Sequence, residues 1–198
     1  MGEPKGLVVV RGRRWVEHQI DAALAAGCGR VVVVLGHDHA EYERALPELG
    51  RRADVVVNPD PDRGPFSSLQ AALGQIAPLH AAFVLPVDVP AASPDVWAAL
   101  LQEMAGDVQA VVPVLRGSGR GGHPVLLAPP LVAALRDRPP TSRLDVELRA
   151  LVPAFVTPGA SSPSGGRAAR LVRLEVADPR ILLNLNAPED WRKLEQDG

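Results

Sequence analysis

The sequence has few cysteines and little net charge. Cys28 is the single cysteine in 198 residues, which excludes an internal disulfide framework and any metal site made of cysteines alone. Lysine and arginine total 21 and aspartate and glutamate total 23, so the net charge is −2. A chain this close to neutral offers no electrostatic basis for coating a nucleic acid. We therefore expect no nucleic-acid partner.

Long apolar runs are also missing. The longest, such as RVVVVLG at 30–36, are far shorter than the roughly 20 residues that cross a bilayer. The first residues do not combine a basic stretch with an apolar one, as a secretion signal does. We expect a cytoplasmic protein with no membrane partner.

Apolar residues nevertheless make up 46% of the chain, enough for a sizeable core, and the length suits one domain spanning 1–198. Up to residue 114, β-branched runs alternate with segments of helical spacing. The pattern predicts strands at 30–36, 53–58, 81–88 and 108–114 and helices at 15–27, 38–50, 67–76 and 93–104. It indicates a three-layer α/β domain with a mostly parallel sheet, in which the first two strands are buried on both faces.

The second half departs from this alternation. A glycine-rich loop follows Leu115, TPGASSPSGGR at 157–167 has the composition of a mobile loop, and ARLVRLEV at 169–176 alternates like a strand with one wet face. We interpret about 115–175 as a small insertion lobe on the same domain.

Polar or glycine-rich segments follow several predicted strands, at the sheet edge where α/β domains bind ligands. They are NPDPDRGPFSSLQ (58–70), LPVDVP (85–90), GRGGHP (119–124) and NLNAPED (184–190). In the first, a glycine and two serines open a helix whose backbone N–H groups favour an anion or a polar base edge. A proline-rich turn with a serine cap explains the same pattern equally well.

Asp88 and Asn186 are the candidate metal ligands. Asp88 follows a strand and lies between two prolines that fix the backbone. A carboxylate held in this way suits a hard cation, and Mg²⁺ with a nucleotide needs only one or two protein carboxylates. The Asn186 carbonyl oxygen could complete such a site. The alternatives are an aspartate that caps a turn and an asparagine that caps a helix.

In order and spacing, these segments resemble the MobA/MocA-like molybdenum-cofactor nucleotidyltransferases. The resemblance rests on MGEPK, GCGRVVVVLG, NPDPDRGPFSSLQAAL, LPVDVP, GGHPVLL and NLNAPEDW and covers essentially the whole chain. It implies a Rossmann-like nucleotidyltransferase fold. It also implies a Mg²⁺-dependent attack by a substrate phosphate on the α-phosphate of CTP or GTP, with release of pyrophosphate. The implied acceptor is a molybdopterin-type cofactor or a related phosphorylated molecule, and a molybdoenzyme is an implied partner.

The resemblance also implies roles for single residues. Lys5 matches a lysine that steadies the nucleotide phosphates and, with Asp88, would be catalytic. Asp88 matches the metal-binding aspartate, and Asn186 falls where relatives carry a second metal ligand. The segment lining the base and ribose is matched by Asn58, Gly64, Ser67 and Ser68.

Arg120 and His123 match the side that meets the acceptor, which makes the lobe at 115–175 the substrate side. From the residues alone, a lone histidine is more often a structural hydrogen-bonding group than a catalyst. A role for this pair in substrate binding therefore comes from the resemblance.

The resemblance includes one large departure at the amino terminus. Relatives begin with a central apolar strand and a loop of the form Leu-Ala-Ala-Gly-x-x-x-Arg-Met-Gly-x-x-Lys, and this chain starts at the Met of that motif. Three explanations remain: a mis-assigned start, a truncated and inactive relative, or a partner that supplies the strand. Besides a molybdenum-cofactor nucleotidyltransferase, we therefore consider a non-catalytic cofactor-binding or chaperone protein and a sugar-phosphate nucleotidylyltransferase.

Overall fold

The computed structural model describes residues 3–152, 154–156 and 169–196. Its strands are β1 (Val9–Val10), β2 (Arg13–Arg14), β3 (Val32–Leu35), β4 (Asp54–Val57), β5 (Ala82–Val84), β6 (Val108–Leu115), β7 (Val125–Leu127), β8 (Ala154–Val156) and β9 (Arg170–Val176). Its helices are α1 (Trp15–Ala25), α2 (His39–Ala45), α3 (Leu49–Arg52), α4 (Pro65–Leu73), α5 (Pro94–Glu103), α6 (Pro129–Arg136), α7 (Leu144–Leu151) and α8 (Pro188–Gln196), with 3-10 turns at Lys5–Leu7, Pro61–Arg63 and Pro179–Leu182. The predicted loop at 157–167 lies outside the described residues.

The strands form two separate sheets and a small hairpin. β3 and β4 pair in parallel, while the larger sheet has the order β5-β7-β6-β9-β8. Among the described strands of that larger sheet, β7 runs opposite to the other four. β1 and β2 form an antiparallel hairpin. The predicted α/β class with a mostly parallel sheet is confirmed, but the sheet is divided between β3 and β5.

Helices cover both faces of the larger sheet. On β5, Ala82 and Val84 pack against one core, which contains residues of α4 and α6. Phe83 faces the other way and packs against a second core, which contains Trp97 and Leu100 of α5. Because successive side chains of a strand point to opposite faces, the two cores lie on the two sides of the sheet. This is the predicted three-layer arrangement.

The prediction that the first two strands are buried on both faces is wrong. In β3 only Leu35 is buried, while Val32, Val33 and Val34 are half-buried. β4 is more open still, and Val57 is 46% exposed. The physical reason is the narrow two-stranded sheet, because each of its strands has a neighbouring strand on one side only among the described residues.

The helix predicted at 38–50 is divided into α2 and α3. Pro47 lies between them, lacks a backbone N–H and disfavours a helical conformation at the residue before it. Leu46 accordingly leaves the helical region, with φ −138° and ψ 65°. Among the described residues, no helix combines the length and the apolar character needed to cross a membrane.

The proposed lobe at 115–175 shares elements with the main sheet. β7 and β9 each pair with β6, and β8 pairs with β9. The separation of a substrate-side lobe from the rest of the domain stays a prediction.

Gly122 provides a test of how tightly the loop after β6 is held. A Cβ added there would lie 2.1 Å from the Ile181 carbonyl oxygen, the same atom that accepts the His123 N–H at 3.0 Å. We expect Gly122→Ala to lower the free energy of unfolding by about 1–3 kcal/mol, because the added methyl overpacks this contact. Chemical denaturation measures this loss.

Gly50→Ala is the matched control, because a Cβ there meets nothing within 4 Å. It should stay within about 1 kcal/mol of the parent. Equal stability of the Gly122 variant and the parent would contradict the contact.

Candidate functional site

Lys5, Asp88 and Asn186 meet at one point. The Lys5 ammonium donates to the Asp88 carboxylate at 3.0 Å and to the Asn186 side-chain oxygen at 2.6 Å. These residues are 83 and 181 positions from Lys5 in the sequence. The Lys5 and Asp88 side chains are 30% and 28% exposed, so solvent reaches the cluster. Two side-chain oxygens and one ammonium group therefore meet beyond the end of β5.

Lys5 is positioned by the 3-10 turn that contains it. Gly6 donates its N–H to the Tyr42 hydroxyl at 3.1 Å, and a Cβ on Gly6 would lie 2.3 Å from that oxygen. Leu7 is buried with Val16 and Leu35. Burial raises the pKa of the Tyr42 hydroxyl, so it stays protonated. These contacts tie the turn to α1, α2 and β3.

Asp88 is positioned by α1 through the backbone on either side of it. The Trp15 indole N–H donates to the Val87 carbonyl at 2.7 Å. The Gln19 amide donates to the carbonyls of Pro86 at 3.1 Å and Val89 at 2.9 Å. Together with the two prolines, these bonds hold the turn that follows β5.

Asn186 is positioned by the beginning of α8. The Asp190 carboxylate accepts the backbone N–H of Asn186 at 3.1 Å. Just before it, Leu185 donates its N–H to the Asp88 carbonyl at 2.8 Å. Trp191 packs edge-on against Trp15, with ring centroids 5.3 Å apart. Trp15 thus supports both the Asp88 turn and the helix that carries Asn186.

The predicted base-and-ribose residues form a second group. Asn58 donates its side-chain N–H groups to the hydroxyls of Ser67 at 2.8 Å and Ser68 at 3.0 Å. The Ser67 hydroxyl donates to the Gly64 carbonyl at 2.8 Å, and Gly64 has a φ of +95°, which favours glycine. Asn58 and Ser67 are buried. These two side chains hold the turn before α4, and their role with a nucleotide stays a prediction.

His123 lies beside the end of β5. Its Nδ1 donates to the Val84 carbonyl at 3.3 Å, which leaves Nε2 as an acceptor. Burial lowers the pKa of the imidazole, although the Val84 carbonyl and the nearby Asp88 charge oppose the shift. His123 is therefore neutral near pH 7. Arg120 is exposed, and no hydrogen bond among the described residues joins its side chain to the other site residues.

The donor set formed by Asp88 and Asn186 fits a hard divalent cation. The Lys5 ammonium marks a point that both oxygens reach. One protein carboxylate and a carbonyl oxygen, completed by phosphate oxygens and water, match the way Mg²⁺ binds with nucleotides. The described ranges contain no cluster of three or more His, Cys, Asp or Glu that could hold a metal. The site thus fits a cation that takes two ligands from the protein and the others from a phosphate substrate and water.

The sequence interpretation missed the residues of α1 that hold the site. Trp15 and Gln19 are four positions apart and lie on one side of the helix. Gln19 also lies on the side of the helix that carries the buried Val16 and Ile20. A polar residue on that apolar side was the available signal, because a half-buried amide needs hydrogen-bond partners.

Comparison with known proteins places these features in a family context. The family described as "MobA-like NTP transferase domain" matches residues 1–154. Among curated proteins, the bifunctional protein GlmU of Caulobacter vibrioides is 38% identical over 78 residues, which are 39% of this chain. The match spans only 16% of the length of that relative.

Three solved structures share the fold across nearly the whole chain. A nucleotidyl transferase from Methanothermobacter has a TM-score of 0.73 at 22% identity, covering 98% of this chain and 84% of that one. The Rv0371C protein of Mycobacterium tuberculosis, in complex with manganese, has a TM-score of 0.67 at 21% identity, covering 98% and 92%. Molybdopterin-guanine dinucleotide biosynthesis protein A from Archaeoglobus fulgidus has a TM-score of 0.64 at 18% identity, covering 99% and 91%.

Replacing Gln19 tests whether α1 holds the Asp88 turn. We expect Gln19→Leu to lower the free energy of unfolding by about 1–3 kcal/mol, because part-buried carbonyls lose their donor. Chemical denaturation measures the loss.

Gln102→Leu changes an exposed glutamine of α5 in the same way and should stay within about 0.5 kcal/mol of the parent. If both variants behave alike, Gln19 does not support the turn.

Proposed function

The chain belongs to the family of MobA-like NTP transferase domains, and from that membership we propose that it transfers a nucleotidyl group from a nucleoside triphosphate to a phosphorylated acceptor. The observation that carries the proposal is the meeting of Lys5, Asp88 and Asn186 at the end of β5. An ammonium beside two oxygen ligands suits a triphosphate with its divalent cation.

The reaction needs positioning and charge neutralisation rather than a covalent intermediate on the protein. An acceptor phosphate oxygen attacks the α-phosphorus of the nucleotide, the bond to the β-phosphate oxygen breaks, and pyrophosphate leaves. Asp88 and Asn186 would hold Mg²⁺, which when bound supplies neutralising charge on the triphosphate. The manganese complex of a structural relative supports a divalent cation in this fold.

Lys5 has two successive roles in this proposal. Without substrate, its ammonium pairs with Asp88 and Asn186 and holds the two oxygens together. When a cation and triphosphate bind, the ammonium moves to the phosphates. The side chain is 30% exposed, so solvent reaches it and the ammonium can move to a bound phosphate.

The turn before α4 is the proposed contact for the base and ribose. Asn58 and Ser67 fix its shape from inside. Gly64, the part-buried Ser68 and the backbone N–H of Phe66 then face the nucleotide, since Pro65 has no N–H and Ser67 donates its own to the Gly64 carbonyl. An N–H group at a helix start favours anionic and polar ligand atoms.

The acceptor is proposed to approach from the side of His123 and Arg120. Neutral His123 offers Nε2 as a hydrogen-bond acceptor, and exposed Arg120 offers a guanidinium that suits a phosphate. This arrangement leaves the metal ligands on the nucleotide side.

We propose CMP or GMP as the transferred group and a molybdopterin-type cofactor as the acceptor, with a molybdoenzyme as the eventual partner. The name of the Archaeoglobus fulgidus relative supports this class. A sugar phosphate is the second candidate acceptor, because the sequence similarity extends to GlmU proteins as well.

Pyrophosphate release tests the activity. With Mg²⁺, CTP or GTP and a panel of molybdopterin and sugar 1-phosphate acceptors, one acceptor class should give turnover. Asp88→Asn should reduce that turnover at least ~100-fold, because removing one charge-stabilising group costs roughly this factor. Asp95→Asn, at an exposed position in α5, should leave it unchanged.

The same experiment separates the catalytic proposal from a non-catalytic relative. Nucleotide binding without turnover for any acceptor would favour a cofactor-binding or chaperone protein. Equal turnover of the Asp88 variant and the parent would overturn the assignment of the metal ligand.

Replacing Lys5 tests its pairing with the metal ligands. In the absence of nucleotide, Lys5→Met should bind Mn²⁺ about three- to tenfold more tightly than the parent. The variant has no ammonium that bonds to the Asp88 and Asn186 oxygens and repels the metal ion from them. Its affinity for the triphosphate should fall. Titration calorimetry measures both.

Arg51→Met removes a different exposed cation and should leave Mn²⁺ affinity within twofold of the parent, about 0.4 kcal/mol or less. Weaker Mn²⁺ binding by the Lys5 variant would show that Lys5 supports the site instead of competing for it.

A further inference from the structure

Gln70 joins α4 to the carboxyl end of α6. Its side-chain nitrogen lies 3.0 Å from the Leu135 carbonyl, 3.0 Å from the Arg136 carbonyl and 2.7 Å from the Arg138 carbonyl. The two N–H groups of the amide are thus shared among three carbonyls. Because the last carbonyls of a helix lack donors within the helix, a side-chain donor at this place satisfies them.

The same side of α4 is bonded to the nucleotide turn (residues 58–64), which is proposed to contact the nucleotide. Ser67 and Gln70 are three positions apart and therefore lie on one side of the helix. The Ser67 hydroxyl accepts from the Asn58 side chain and donates to the Gly64 carbonyl. Gln70 thus anchors α4 close to the bonds that shape the nucleotide turn.

The nucleotide turn and α6 belong to different sheets. The turn follows β4, and Asn58 donates its backbone N–H to the end of β3. α6 packs on the larger sheet instead, since its buried Leu135 shares a core with Leu127 of β7. Asp88 follows β5 of that larger sheet. The contact from Gln70 therefore links the nucleotide turn to the sheet that leads to the candidate metal ligand.

The other contacts between α4 and α6 are less directional or more distant. Phe66 and Leu73 of α4 pack in the core that contains α6. Apolar burial is non-directional, whereas a hydrogen bond weakens steeply as its angle departs from linearity. Arg136 of α6 donates to the Ile76 carbonyl, beyond the other end of α4. Among the described residues, Gln70 thus makes the polar contact between the two helices that lies nearer to the nucleotide turn.

We propose that Gln70 is a positioning residue for nucleotidyl transfer, which fixes the distance between the nucleotide turn and Asp88. These two parts of the site are held on different sheets, and attack on the α-phosphorus requires them in register. Gln19 of α1 makes a comparable contact, to the turn that carries Asp88. The catalytic part of this inference rests on the proposed function, whereas the distance can be measured without turnover.

Two substitutions of similar length separate the hydrogen bonds of Gln70 from its packing. Gln70→Met keeps the length of the side chain and removes its donors. Gln70→Lys also keeps the length and restores N–H donors, which suit the carboxyl end of a helix. Val96→Ala leaves a cavity at a buried position of α5 and is the control for lost stability alone.

The distance is measured by double electron–electron resonance in a Cys28→Ser background. Spin labels at Asp62→Cys, in the nucleotide turn, and Glu175→Cys, on β9, occupy exposed positions. Gln70→Met should shift or widen this distance by about 1 Å or more, the scale of misplacement that costs a reaction up to ~100-fold. Gln70→Lys and Val96→Ala should match the parent. An unchanged distance in Gln70→Met would overturn the proposal.

Turnover of the unlabelled proteins is compared with the acceptor class that serves the parent. Gln70→Met should lower kcat at least ~10-fold, because the reacting groups are misplaced. Its affinity for the nucleotide with Mg²⁺ should stay that of the parent, since Asn58 and Ser67 still shape the turn. Gln70→Lys should recover most of the rate, and Val96→Ala should keep it.

The kinetic outcomes distinguish this inference from the proposed function. Parent-like kcat in Gln70→Met, or an equal loss in Val96→Ala, would overturn the positioning role even if the parent is active. If no acceptor gives turnover with the parent, the proposed function fails, and the label distance alone decides whether Gln70 holds the two sheets in register.

Discussion

The contact between Lys5, Asp88 and Asn186 is the interaction on which the rest of the site depends. It joins an amino-terminal turn, the end of β5 and the start of α8, which are far apart in the sequence. A half-exposed ion pair contributes little stability by itself, typically about 0–1 kcal/mol. The surrounding framework therefore holds the three groups together, and their charges remain available for a ligand.

That framework is centred on α1 rather than on the sheet. Trp15 bonds to the turn that carries Asp88 and also packs against Trp191 of α8. Val16 and Ile20, on the same helix, pack with Leu7 beside the Lys5 turn. α1 thus contacts all three segments that carry Lys5, Asp88 and Asn186. This helix precedes both candidate metal ligands, Asp88 and Asn186, in the sequence.

The sequence directed attention to the carboxyl edge of the sheet, because ligands of α/β sheets collect there wherever strands and helices alternate. The expected strand ends were less accurate: β5 ends at Val84, four residues before Asp88, and the segment before Asn186 is a 3-10 turn, Pro179–Leu182, and not a strand. The hydrogen bonds from Gln19 to the Asp88 turn could not be recognised in the sequence, since their acceptors are backbone carbonyls 67 to 70 residues away. The burial of β3 was overestimated for a related reason. A run of valines shows that a strand has apolar side chains to bury, but the strands and helices packed around it determine how much of that surface is buried.

The division of the sheet bears directly on the geometry of the site. Lys5 is tied to the β3 side through Leu7, and Asp88 belongs to the β5 side. The separation of these two strands therefore sets how far the ammonium lies from the carboxylate. Two helices span this division: α1 packs on β3 and bonds to the turn after β5, and α4 contacts β3 and shares a core with β5. Side-chain packing therefore does there what backbone pairing does elsewhere in the sheet.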